Sequence, residues 1–148
     1  MKIILARTVT IIFFVLAMIH FYWALGGQWG FESTLPSNEQ GIKVLDPKTI
    51  DSIMVGSILL LFGILYLFSL TLLKNKILNL IRNNGLWTIP IIFIIRAIGD
   101  FKYVGFFKQI KGTAFANLDT TFYSPLCLII GLMGILLIKI KNKKANDI

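Results

Sequence analysis

Four long apolar stretches dominate the chain, separated by shorter segments rich in charged, glycine and aromatic residues. They run over about residues 3–25, 50–73, 89–106 and 123–140, the last with its apolar centre at 125–138. At about 1.5 Å of rise per residue, helices of this length cover roughly 21–36 Å, which brackets a hydrocarbon core about 30 Å thick. Backbone in lipid has to satisfy its own hydrogen bonds, so each stretch is expected to be a helix. The alternation of a barrel strand is absent. The pattern predicts an all-α fold, a four-helix transmembrane bundle forming one domain over residues 1–148, with a short interfacial segment between helices three and four.

Local chemistry places the helix starts. Asp46 ahead of Pro47, with Asp51 near the positive end of the dipole, predicts the second start. Thr88-Ile89-Pro90 puts Pro90 in the first turn of the third helix, where it need not kink it. Ser124-Pro125 repeats the arrangement at the fourth.

Composition agrees with the pattern. The 148 residues are 56% hydrophobic and 15% charged, against about 45–50% and about 25% in soluble domains. A soluble enzyme domain, a disordered tail and a disulfide scaffold are thereby excluded. The one cysteine, Cys127, has no intramolecular partner and rules out a C-x-x-C motif. Walker, G-x-S-x-G and H-E-x-x-H patterns are missing, and a single histidine rules out a multi-histidine metal site or bis-histidine haem. No cofactor and no metal are expected.

Net charge is +8, and the basic residues are unevenly placed. Lys2, Arg7, Lys74, Lys76, Arg82, Lys139, Lys141, Lys143 and Lys144 fall on one side of a four-span protein, nine against the five of Lys43, Lys48, Lys102, Lys108 and Lys111. The bias predicts both termini in the cytoplasm, hence a multi-pass protein of the cytoplasmic membrane. The Lys-rich tail reads as an orientation signal, with no nucleic acid as partner. The first span has a basic start and small residues at Ala24-Leu25-Gly26. Its length and its bulky His20-Phe21-Tyr22-Trp23 end make it an uncleaved anchor.

A few residues do not belong in lipid. Arg96 and Asp100 lie four apart in the third span, on one helical face, with Arg96 expected near mid-depth and Asp100 in the outer part. Central charges cost about 2.5–3.5 kcal/mol each on insertion scales, so they should turn toward the bundle or a wet cavity. His20, near the outer end of the first span, shares the depth of Asp100. Trp23 follows it, ahead of Gly26-Gly27-Gln28-Trp29-Gly30. Each feature also has a plain structural reading. Arg96 and Asp100 make a mutually neutralising pair, the histidine caps a buried carboxylate, and the aromatics form an interface belt. The segment Gly105-Phe106-Phe107-Lys108-Gln109-Ile110-Lys111 suits one face of a short interfacial helix. It leads through Asp119 to Tyr123, either as a lid over His20 and Asp100 or as a loop covering helix ends. Gly56 and Gly63, and Gly131 and Gly134, mark faces open to close helix contact, within the bundle, with a second copy or with a membrane partner.

Three of these segments carry a resemblance to a known family. His20-Phe21-Tyr22-Trp23-Ala24-Leu25-Gly26-Gly27-Gln28-Trp29-Gly30, Arg96-Ala97-Ile98-Gly99-Asp100-Phe101, and Phe115-Ala116-Asn117-Leu118-Asp119 followed by Tyr123-Ser124-Pro125-Leu126 resemble a bacterial family of small four-span membrane proteins, domain of unknown function 3995. The resemblance covers nearly the full length. It implies the same fold and a cluster of motifs at the outer ends of the helices, and it assigns no activity.

The residues themselves predict a membrane-embedded binding protein. Its outward pocket would use His20, Trp23, Arg96 and Asp100, with Asp119 at the rim, for a membrane lipid or another lipophilic small molecule. The alternatives are a membrane enzyme acting on a lipid-like substrate, with His20 and Asp100 as acid and base, and a structural or accessory subunit whose buried charges specify assembly. A proton pathway has too few polar stations.

Overall fold

A computed structural model of the chain describes residues 1–71 and 75–146, with side chains through residue 142. Leu73, the expected end of the second span, lies outside the described residues. So do Lys74 and the side chains of Lys143 and Lys144, which contributed to the charge bias. The element order is α1 (Lys2–Ala24), a 3-10 turn (Glu32–Thr34), α2 (Thr49–Leu67), α3 (Lys76–Ile98), α4 (Ala114–Leu118), a π turn (Asp119–Tyr123) and α5 (Ser124–Asn146). Four helical segments are long and apolar enough to cross a membrane, with α4, the π turn and most of α5 forming one of them, Ala114–Asn142. Among the described residues no strand occurs, only an isolated bridge between Ser37 and Lys43.

Narrow faces hold the bundle together. The buried positions of α1 are Ala6, Val9, Thr10, Phe13 and Ala17, and those of α2 are Ser52, Gly56, Leu59, Gly63 and Tyr66. Both sets follow the helical period. Phe13 is the centre of the core, with the Phe62, Phe93 and Tyr66 ring centroids at 5.7, 5.3 and 5.7 Å. The opposite faces expose Ile, Leu, Val and Met, as a lipid-facing surface requires.

Both glycine pairs pack inside the chain. A Cβ on Gly63 would stand 2.5 Å from the Phe14 ring, and one on Gly56 3.0 Å from Phe21. A Cβ on Gly134 would stand 2.4 Å from both the Pro90 ring and the Tyr66 hydroxyl, and one on Gly131 2.6 Å from Ile94. The first pair therefore sets the α1–α2 approach and the second the α3–α5 approach. The pairing of Gly56 with Phe21 and of Gly63 with Phe14 makes α1 and α2 antiparallel. Contacts of Arg96 with Asp119 and of Lys141 with Asn83 do the same for α3 and α5. The bundle thus has a loop end, with the two long connections, and a termini end.

Several expected boundaries are corrected. The third helix starts at Lys76, thirteen residues before Ile89, with Asn75 as its cap through bonds from the N–H groups of Ile77 (2.8 Å) and Leu78 (3.3 Å). Asn79, Arg82 and the Asn83-Asn84-Gly85 run read as a polar connection. They form the first turns of the helix instead, with Arg82 buried in the bundle and Asn83 and Asn84 exposed. Pro90 is consequently mid-helix, against the glycines of α5, and not in a first turn. This helix ends at Ile98, well short of residue 106. The second helix stops at Leu67, not Leu73, and is capped by Asp51, whose Oδ2 accepts the Lys48 N–H at 2.8 Å, rather than by Asp46. Ser124-Pro125 opens α5 as expected, but the spanning segment begins earlier, at Ala114: Thr113 caps α4 by accepting the Ala116 N–H at 3.1 Å, and a π turn joins α4 to α5 just ahead of Pro125, which lacks an N–H. The 105–111 segment is irregular, and the short helix falls at Ala114–Leu118.

Candidate functional site

Glycine ends α3. Gly99 has φ +100°, a conformation that an L side chain rarely adopts, and a Cβ there would lie 1.7 Å from the Val104 carbonyl oxygen. The chain turns within six residues. Asp100 accepts the N–H groups of Lys102 (2.9 Å), Tyr103 (2.7 Å) and Val104 (2.9 Å) on one oxygen, Oδ1. Gly105, at φ +88°, passes against Ile98 and Gly99 with no room for a side chain. The Phe106 and Phe107 N–H groups then return to the Ala97 and Ile98 carbonyls at 2.9 and 3.4 Å, satisfying the end of α3.

This loop delivers two donors to Asp119. The Gly105 N–H bonds Oδ2 at 2.7 Å, and the Lys108 Nζ bonds the same oxygen at 3.0 Å. Lys108 completes its set with the Gly105 carbonyl (2.9 Å) and the Thr120 hydroxyl (2.6 Å). From α3, the Arg96 Nη2 reaches Oδ1 of Asp119 at 2.9 Å. The Asp119 side chain is 0% exposed, Lys108 1% and Arg96 34%. Two cations thus share one buried carboxylate, and the Arg96 Nη1 is buried with no hydrogen-bond partner.

Beside this cluster a cavity of about 360 Å³ opens between α1, α2, the first loop and the π turn. His20, Trp23, Phe31, Arg96, Phe115 and Tyr123 line it, with aliphatic residues and with Asp51 and Ser52 at the start of α2. His20 donates from Nδ1 to the Leu16 carbonyl at 2.8 Å, because a carbonyl only accepts. In the neutral ring Nε2 is therefore the acceptor. The His20 and Trp23 rings meet edge-on at 4.9 Å, and Trp23 and Phe31 at 5.7 Å. Trp23 is fixed through its indole N–H to the Trp29 carbonyl at 2.9 Å. Gly27 is bare because the Tyr22 ring covers it, within 2.5 Å of where a Cβ would sit.

The structure thus brings His20, Trp23 and Arg96 to one cavity, with Asp119 directly behind Arg96. Asp100 does not join them. The expected Arg96–Asp100 pairing on one helical face fails because the helix ends at Ile98, and Asp100 is an exposed loop residue that organises backbone. Burial opposes its ionisation, but the three N–H bonds outweigh burial and hold its carboxyl below the usual range. Arg96 stands two residues from the end of α3 and not at the middle of that helix, where it was expected. Lys108 was counted only as an outer-loop charge. The signal for its burial was a single cation inside the aromatic run Gly105-Phe106-Phe107-Lys108, too weak to name a partner 11 residues on.

The fold and this polar cluster at a helix boundary define a multi-pass membrane protein. Residues 13–134 match the model of a family described as a protein of unknown function, DUF3995, and the chain belongs to that family. No curated protein and no solved structure matches it.

Proposed function

We propose that the protein is a membrane-embedded binding protein whose loop-end cavity takes an amphiphile, a lipid or another lipophilic small molecule, with its polar head at Arg96. The observation that carries this reading is the guanidinium of Arg96. Asp119 holds one nitrogen, while the other is buried without a partner in a residue that lines the cavity. Buried polar groups in native proteins are nearly always paired, so an unpaired guanidinium nitrogen beside a cavity suits an acceptor supplied by a ligand. Two cations against one carboxylate favour an anionic head. Aromatic walls at Trp23, Phe31, Phe115 and Tyr123 suit an apolar body. Asp51 gives the same cavity a carboxylate for a donor on that head.

His20 contributes an imidazole acceptor at the wall, while Asp100 and Asp119 are positioning residues. Asp100 shapes the loop, and Asp119 orients Arg96. The charge bias places the loop end on the outer face of the cytoplasmic membrane. The test is native mass spectrometry and lipid extraction on protein released gently from its own membranes. Wild type is expected to carry a bound amphiphile, and Arg96→Gln to lose it at least tenfold, with Trp23→Ala lowering occupancy independently. Equal occupancy in wild type and both variants, or an empty wild type, overturns the reading.

One observation supports a second reading. All three Lys108 N–H groups are satisfied inside the cluster, as expected if Arg96, Lys108 and Asp119 chiefly lock loop to bundle. A folded Arg96→Gln protein with unchanged bound lipid favours that lock.

A further inference from the structure

The termini end of the same bundle holds a second cationic site that the loop-end cavity does not explain. Arg82, in the first half of α3, is only 8% exposed. One guanidinium nitrogen donates to the Thr71 carbonyl, and its Nε is buried with no hydrogen-bond partner. Lys141 of α5 stands near enough to repel it, and Lys141 Nζ donates to the Asn83 amide oxygen at 3.0 Å. Arg82, Asn83, Trp87 and Lys141 border a cavity of about 430 Å³, with Leu86 and Ile138 as its apolar wall.

The acids among the described residues are all elsewhere. Glu32, Glu39, Asp46, Asp51, Asp100 and Asp119 lie on the loop-end connections or at the helix turns adjoining them, and Asp147 lies outside the described residues. Two cations flank one half-apolar cavity with no carboxylate among the described residues to neutralise them. Taking a cation out of water without an anion is costly, so a site with this charge is completed by an anion from outside the chain. Fourteen residues separate Arg82 from Arg96, about 21 Å along a helix. With Arg96 near one boundary of a hydrocarbon core about 30 Å thick, the backbone of Arg82 sits roughly 9 Å inside the other, and its long side chain, tilted toward the start of α3, extends toward the headgroups on that side.

We propose that this termini-end cavity binds a phosphate group, and that the phosphate is the headgroup of an anionic lipid in the leaflet on that side, its acyl chains continuing along Leu86, Trp87 and Ile138. The guanidinium of Arg82 and the ammonium of Lys141 meet the phosphate oxygens, Asn83 positions Lys141, and Asn142 lines the mouth.

The test uses the full chain in neutral detergent, with thermal unfolding followed against added dioctanoyl phosphatidylglycerol, dioctanoyl phosphatidylcholine or inorganic phosphate. Phosphatidylglycerol is expected to raise the unfolding temperature in a saturable way, with apparent affinity at least tenfold above phosphatidylcholine. On an Arg96→Gln background, where the loop-end head contact is removed, Lys141→Gln and Arg82→Gln should each still weaken that response at least tenfold, which separates this site from the loop-end cavity. Lys141 is partly exposed and outside the core, so its variant keeps the test valid if Arg82→Gln fails to fold. A matching response to inorganic phosphate overturns the lipid assignment in favour of a soluble phosphate compound. No preference for phosphatidylglycerol, or a response unchanged in Lys141→Gln, overturns the site.

Discussion

Arg96 and Arg82 lie toward opposite ends of one helix, Arg96 part-exposed and Arg82 buried, and among the described residues only Arg96 meets a carboxylate. At the loop end Asp119 accepts from Arg96, Lys108 and the Gly105 backbone, so the charges are held by the chain itself. At the termini end Arg82 has a backbone carbonyl and a lysine for neighbours. The first arrangement fixes a structure around a cavity. The second leaves a positive site open at the membrane boundary. An arginine in a transmembrane helix therefore has no single meaning, and what faces it decides how much of its charge the chain itself holds.

The largest expected effect comes from removing the carboxylate that distinguishes the two ends. Asp119→Ala leaves a buried lysine and an arginine unpaired, and breaking such a pair costs about 3–5 kcal/mol. Unfolding in mixed micelles checks this, and a loss below about 1 kcal/mol would show that the cluster does not hold the loop. Arg82→Gln strands no opposite charge, so we expect about 1 kcal/mol or less in lipid-free detergent, in the range of a single modest hydrogen bond. A cost equal to that of Asp119→Ala would erase the contrast.

Packing should rank between these two. Gly134→Ala forces a methyl to within 2.4 Å of both Pro90 and the Tyr66 hydroxyl, and overpacking of this kind costs about 1–3 kcal/mol. It acts on the α3–α5 approach that aligns both arginines, so both lipid responses should weaken together, by the two assays described above.

The smallest effect is a pH dependence confined to the loop end. The folded carboxyl of Asp100 sits below its ordinary value of 3.8. Its contribution is fully present above that value and is lost as pH falls through the lower folded one. Hydrogen exchange of the Lys102, Tyr103 and Val104 amides should therefore accelerate, relative to intrinsic rates, below about pH 3.8 in wild type. Asp100→Asn should remove that step, and a step of equal size in the variant would assign it elsewhere.

Much of this was legible in the sequence, for a specific reason. Burying backbone in hydrocarbon demands long apolar helices, so four spans and their antiparallel order follow from hydropathy alone. The three motifs marked the loop end for the same local reason. Trp23 bonds a carbonyl six residues on, and Asp100 bonds amides two to four residues on, so their spacing is written in the chain. The start of α3 was not legible. Its first turns carry Lys76, Arg82 and three asparagines, polar enough to read as a connection, and only the burial of Arg82 and Leu86 in the bundle distinguishes them from one.

By itself the sequence determined the class of protein, the number of spans and which residues were out of place in lipid, because those properties depend on each segment's own free energy of transfer. Only the tertiary structure decided who pairs with whom. Asp119 lies 23 residues from Arg96 and 11 from Lys108, and it meets them because Gly99 and Gly105 turn the chain back on itself and a π turn keeps Asp119 facing inward. Asp100, nearer to Arg96 in sequence, is turned to the loop instead. An ion pair depends on distance in space, and a helix that ends two residues before Asp100 hands the arginine to a different acid.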